Sequence, residues 1–177
     1  VMEHVLDVPA AILALHPLLR EGALVYLEVP DAARYAGHVY APFQDFNTEH
    51  INHFSSRSLD NAMESRGYAA CGGGERLLRS SPCTCTPAVY RVYRWRGSST
   101  AVIPDLALKP AILRYIELSS ALLKTIDDCI REALASSPEL IVWGAGQLTL
   151  KLLAETCLSQ AKVKAFVDSN PIHQGHR

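Results

Sequence analysis

No run of residues approaches the roughly 18 consecutive apolar side chains that a membrane-spanning helix needs, so no membrane partner is expected. An excess of either charge is also lacking. Lys and Arg total 17 against 18 Asp and Glu, for a net charge of -1. That balance excludes nucleic-acid binding through bulk positive charge. Cysteines are few and odd in number, five in all. Only Cys83 and Cys85 are close, and C-T-C is neither a C-x-x-C redox motif nor a zinc knuckle. They read as reduced thiols of a cytoplasmic protein. The opening V-M-E-H-V has no initiator Met and no charged signal-peptide region. The closing P-I-H-Q-G-H-R follows a strand-like run, and a fragment of a longer protein is the expectation. What is present is ordinary globular composition: 177 residues, 49% apolar and 20% charged. That suffices for one domain, or two small ones, each with its own core.

The chain reads as alternating helices and strands. Val8-Pro9 opens a short helix capped by Asp7 or Val8, with Ile12, Leu15 and Leu19 on one face, and Pro17 disturbs its last turn. Residues 23–29 form a strand apolar on both faces, as in a parallel sheet covered by helices. Residues 32–54 show little periodicity, and a segment of that length is functional or hides short elements. Ser55 or Ser56 caps a helix to about Arg66, with Leu59 and Met63 inward. Residues 68–71 form a short strand, and Gly72-Gly73-Gly74 a turn. Residues 88–95 form a strong strand whose Arg91 and Arg94 mark an edge or a wet face. Gly97-Ser98-Ser99-Thr100 is a linker. A long amphipathic helix follows Pro110, with Ile112, Ile116, Leu123, Ile126, Ile130 and Leu134 in one stripe, and Ser136-Ser137-Pro138 stops it. A buried strand at 140–143, a helix carrying Leu148, Leu152 and Leu153, and a strand at 163–167 make a β-α-β unit.

Three places hold chemistry-bearing residues. The run F-N-T-E-H-I-N-H-F-S sets Glu49, His50, His53, Asn47 and Asn52 between aromatics. An imidazole titrates near neutral pH and can accept a proton from C–H or O–H, with a neighbouring carboxylate to orient it. The same groups can equally satisfy one another in a loop. Glu3-His4 stands where a strand would end and a helix begin, the position at which open α/β sheets bind ligands. It can also be a capping carboxylate beside a half-buried His. Gly144-Ala145-Gly146 follows a strand and precedes a helix, the setting of a phosphate-cradling turn. Asp168 lies near the position of a ribose-binding acid, but Thr149 holds the third glycine position. Tight packing of strand on helix explains the glycines as well, and Trp143 before them reads as a packing residue. Asp31, Arg34, Tyr35, Gln44 and Asp45 flank the central loop, either to bind sugar hydroxyls or a diphosphate or as solvated loop residues. No set of metal ligands is assigned.

V-M-E-H-V, Y-L-E-V-P-D, F-N-T-E-H-I-N-H-F-S and V-W-G-A-G together resemble the distal part of class I S-adenosylmethionine-dependent methyltransferases. The resemblance is to the sugar C-methyltransferase-like branch and covers essentially the whole chain. It implies an α/β fold, with an incomplete Rossmann-like methyltransferase sheet, a helix, and a second Rossmann-like β-α-β unit. The implied layout is methyltransferase half at 1–97, linker and helix at 98–138, and the start of a C-terminal Rossmann-like domain at 139–177. In the family a zinc-binding segment and the glycine-rich cofactor loop come earlier, so weak cofactor binding by this chain alone is expected. By resemblance His50 is the base that deprotonates carbon beside a ketone, Glu49 its preceding acid, and His4 the active-site histidine of the earlier motif. Glu3 is assigned to the cofactor. Asn47 stands near where the family often has a tyrosine and His53 where an aromatic is common. Both are assigned to the substrate, with Gly144, Gly146 and Asp168. A nucleotide-linked sugar is the expected acceptor. The alternatives are an O- or N-methyltransferase of a small metabolite or polysaccharide precursor, and a non-catalytic nucleotide-sugar-binding module.

Overall fold

The computed structural model describes residues 1–137, 139–171 and 175. Two compact units divide the chain, Val1–Ile116 and Glu117–Arg177. Both mix helices with strands, as the α/β reading expects.

In the first unit the Asp7 carboxylate accepts from the Ala10 amide at 2.9 Å. This caps α1 (Val8–Leu13), with Pro9 in the first turn, where its missing N–H costs nothing. The helix ends before Pro17, and a 3-10 turn, His16–Leu18, replaces it. β1 (Leu24–Pro30) follows. A 3-10 stretch, Ala32–Gly37, is the short element within the aperiodic segment. α2 (Ser56–Glu64) starts at a capping box, in which Ser55 and Ser58 satisfy each other's backbone amides. Its Leu59 and Met63 are fully buried. β2 (Tyr68–Arg79) and β3 (Cys85–Trp95) complete a sheet of order β1-β3-β2.

Three expectations are corrected here. β1 is not a parallel-sheet strand beside its neighbour, because it pairs antiparallel with β3 from Leu24↔Arg94 to Pro30↔Ala88. β3 is the centre of the sheet and not an edge. Arg91 lies on the face of the buried Val89 and Tyr93, where its guanidinium meets Asp60 at 3.1 Å, and the exposed Arg94 lies on the other face. The three glycines do not form a turn, since β2 runs through them with a register shift between Ala70 and Gly72. A Cβ at Gly73 would fall 2.6 Å from the Tyr90 carbonyl oxygen, so glycine is what lets the two backbones close there.

The main core gathers Met2, Ile12, Val29, Phe54, Leu59, Met63, Tyr68, Val89 and Tyr93. A smaller cluster, Ala32, Tyr35 and Tyr115, holds the aperiodic segment against the start of α3 (Leu108–Ser136). The Asp105 carboxylate accepts from the Ala107 and Leu108 amides and from the Ser55 hydroxyl, tying that start to the cap of α2. Pro138, expected to stop α3, lies outside the described residues.

In the second unit β4 (Glu139–Trp143) pairs in parallel with β5 (Lys162–Val167), and α4 (Gln147–Glu155) links them. The β-α-β unit is present, but β4 is not a buried strand. Ile141 is 67% and Trp143 83% exposed, so Trp143 is not a packing residue. Among the described residues the sheet has two strands, which leaves these side chains facing outward.

Candidate functional site

The two Glu-His pairs, 46 residues apart in sequence, meet in space. Asn47 Oδ1 accepts from the amides of Glu49 and His50, both at 2.9 Å, and so turns the chain. The next two amides, Ile51 and Asn52, donate to the Glu3 carbonyl at 2.9 and 3.1 Å. Asn52 Nδ2 adds a bond to the Val5 carbonyl at 2.6 Å. The loop is thereby stapled to the Met2–His4 turn. The His4 and His50 rings stand edge to face with centroids 5.0 Å apart. His4 Nδ1 lies 2.8 Å from the Glu49 carbonyl oxygen. A carbonyl only accepts, so Nδ1 is the donor there, while Nε2 lies 3.4 Å from the Glu3 carboxylate.

Each predicted residue finds a definite place. Glu49 is exposed, and its backbone rather than its carboxylate organises the site. Asn47 uses its oxygen to form the turn. His53 packs against Phe46 at 4.9 Å and Tyr35 at 5.9 Å, with Nδ1 3.5 Å from the Tyr35 hydroxyl. Burial, and then the charge of His50, push the His53 imidazole below its usual range, so it stays neutral near pH 7. Glu3, His4 and His50 each present a ligand atom, all within 4.8 Å of one another. A carboxylate with two imidazoles is a donor set of the kind that divalent first-row metals accept. Sequence inspection assigned no metal ligands because 46 residues separate Glu3-His4 from His50.

Asp45 carries more than its flanking position suggested. It is buried, 7% exposed, and not a solvated loop residue. The Tyr115 hydroxyl accepts from its amide at 2.9 Å. Burial pushes the carboxyl above its usual range, against the pull of hydrogen bonds from Tyr115 and Gln44. A carboxyl raised in the folded state costs stability as pH climbs past its unfolded value, and that cost is complete above the folded one. Asp45 Oδ2 and His50 Nδ1 are both buried without a hydrogen-bond partner. Both residues line one cavity of about 280 Å³, with Tyr40, Gln44, Ser80, Thr84 and Thr86.

The glycine turn belongs to the second unit. Gly144 has φ +97, which only glycine adopts without strain, whereas a Cβ at Gly144 or Gly146 would meet nothing within 4 Å. Close packing therefore does not explain these glycines. The Ala145 amide donates to Asp168 Oδ2 at 2.7 Å, so Asp168 occupies a donor that a phosphate would use. Gly144→Ala should destabilise this unit by on the order of 1–3 kcal/mol, and Gly146→Ala should be nearly neutral. Thermal melts of the two variants decide it, and equal losses would reject the backbone explanation.

Residues 1–71 match the model of a family described as a methyltransferase domain. That segment contains both Glu-His pairs, β1 and α2. The match supports methyltransferase function in general, and the strands and helices are consistent with a Rossmann-like methyltransferase fold. No curated protein and no solved structure matches the chain. Among the described residues no helix is long and apolar enough to cross a membrane.

Proposed function

We propose that the chain is part of an S-adenosylmethionine-dependent methyltransferase that methylates a carbon of a nucleotide-linked sugar, with His50 as the base. The observation that carries the reading is the meeting of the two Glu-His pairs within the segment matched to a methyltransferase domain. The layout of methyltransferase half, linking helix and second Rossmann-like unit belongs to the same proposal.

The residues present fit the cofactor in part. Glu3 and Glu28 bound a second cavity of about 240 Å³, whose wall includes Val29, Pro30 and Ala88. Glu28 is already paired with Arg76 and accepts from the Tyr26 hydroxyl, so Glu3, nearest the His4–His50 pair, is the carboxylate that would meet the cationic methylsulfonium end. Bound S-adenosylmethionine supplies an electrophilic methyl group on sulfur. The His50 imidazole would take a proton from the carbon beside the acceptor's ketone. The C–H electron pair would remain on the acceptor as an enolate, the nucleophile for the methyl group that bound cofactor would supply. His50 suits this role because it lines a cavity of about 280 Å³ and its Nδ1 has no competing hydrogen-bond partner. His4, fixed by the Glu49 carbonyl, holds the His50 ring edge on.

The test is methyl transfer from methyl-labelled S-adenosylmethionine to a nucleotide-linked keto-deoxysugar, using a protein that carries this chain. Label on a ring carbon is the expected result. Label on oxygen or nitrogen would overturn carbon methylation, and no transfer to any sugar nucleotide would overturn the acceptor class.

A further inference from the structure

The corner where the two Glu-His pairs meet gathers metal-ligand atoms on backbone that is already pinned. Glu3 Oε1 and His4 Nε2 lie 3.4 Å apart. Two donors about 2.0–2.1 Å from one tetrahedral ion stand roughly 3.4 Å apart, so one edge of a coordination shell is preformed. A ring nitrogen of His50 completes the set, with all three ligand atoms within 4.8 Å of one another. His4 is held as metal-ligating imidazoles are held. Its Nδ1 donates to the Glu49 carbonyl at 2.8 Å, which leaves Nε2 to ligate. The other two ligands are fixed through the main chain. The Ile51 and Asn52 amides donate to the Glu3 carbonyl, and Asn47 Oδ1 accepts from the His50 amide. The Val1 ammonium donates to Glu3 Oε2 at 2.7 Å, so Oε1 is the oxygen on offer. The Glu3 side chain is 12% exposed and that of His4 44%, so the corner is open on the His4 side.

We propose that Glu3 Oε1, His4 Nε2 and a ring nitrogen of His50 bind one divalent first-row transition metal ion of the zinc class. Zn²⁺ takes imidazole and carboxylate donors, and three protein ligands leave its fourth position to water or a ligand atom. Mg²⁺ and Ca²⁺ do not fit, since both want shells of oxygen. The 4.8 Å spread of the donors exceeds the roughly 3.4 Å of an occupied tetrahedral site, so the His50 side chain closes on the ion as it binds. The binding claim stands on the corner alone and goes beyond the methyltransferase reading. On that reading the ion occupies both the base and the carboxylate that faces the cofactor, so the loaded chain is its inactive form.

The experiment titrates the chain with Co²⁺, a spectroscopic stand-in for Zn²⁺, and then displaces it with Zn²⁺. The five free thiols also attract such ions, but a thiolate ligand adds a sulfur-to-cobalt charge-transfer band in the near ultraviolet. The expected result is one Co²⁺ per chain with visible ligand-field bands, no thiolate band, and release by Zn²⁺ but not by Mg²⁺. His4→Ala and, separately, Glu3→Gln should weaken binding by about 100-fold or more, since even the outer contacts of a ligand are worth roughly 10–100-fold. A chain with both Cys83→Ser and Cys85→Ser should keep its affinity. Should Glu3→Gln fail to fold, His4→Ala decides alone, because that side chain is part exposed. A thiolate band, lost binding in the cysteine variant, unchanged affinity in His4→Ala, or no binding would overturn the site and leave the Glu3–His4 contact an ion pair only. Zn²⁺ binding at this corner that leaves methyl transfer intact would keep the site and remove His50 as the base. Methyl transfer by a protein whose corner binds no Zn²⁺ would do the reverse.

Discussion

Replacing His50 by alanine should lower methyl transfer by roughly 10²–10⁴-fold, the usual contribution of a positioned general base. An imidazole suits deprotonation of carbon beside a ketone because its pKa lies near the working pH with little tuning. The structure adds two reasons to choose His50 over its neighbours. His50 lines the cavity and its Nδ1 has no hydrogen-bond partner, whereas His4 Nδ1 faces the Glu49 carbonyl and His53 packs among Phe46 and Tyr35. His53→Ala should therefore be milder and act through loop shape. Two measurements separate base loss from misfolding: solvent deuterium exchange at the acceptor carbon, and binding of S-adenosylmethionine. Exchange should fall with transfer while cofactor binding changes little, since the base faces the acceptor. Near wild-type exchange and transfer in His50→Ala would make His50 a loop residue and end the assignment.

Local signals in the sequence were legible where local physics decides the structure. The Ser55 cap, the Leu59 and Met63 face and the Asp7-Pro9 start are set within a few residues, and each appears as read. Strand pairing is different, because the partner is remote and a run of apolar residues does not encode its direction. So β1 was read as a parallel strand, although it pairs antiparallel with β3. The glycine triplet misled for a related reason. Glycine signals both turns and close backbone approach, and only the position of Tyr90 shows which applies at Gly73. At the site, both Glu-His motifs stood out in sequence, but not that they share one corner. From sequence Asp45 reads either as a binder of sugar hydroxyls or a diphosphate or as a solvated loop residue. Its burial goes with a bond from its amide to the Tyr115 hydroxyl, 70 residues away.

Tyr35→Ala should destabilise the first unit by about 3–5 kcal/mol, the range for removing a large buried aromatic side chain. Tyr35 is 1% exposed and forms the smaller core cluster with Ala32 and Tyr115. Its ring meets Tyr115 at 5.4 Å and His53 at 5.9 Å. Truncation would leave a cavity between the aperiodic loop and the start of α3, where the backbone cannot close without moving Asp45. Tyr35→Phe keeps the ring and loses only a hydroxyl, whose 3.5 Å contact with His53 is long. That variant should cost less than about 1 kcal/mol. The chain has two tryptophans, one in each unit, so Trp143→Phe leaves Trp95 as the sole indole reporter. Trp95 packs on His16 at 4.2 Å and Tyr68 at 5.0 Å, within the first unit. Urea unfolding followed by its fluorescence then reports this unit alone. A loss below about 1 kcal/mol for Tyr35→Ala, against the cavity cost expected of a packed site, would mean the cluster does not hold the loop. A large loss with Asp45 amide shifts intact in surviving folded protein would separate stability from the shape of the cavity.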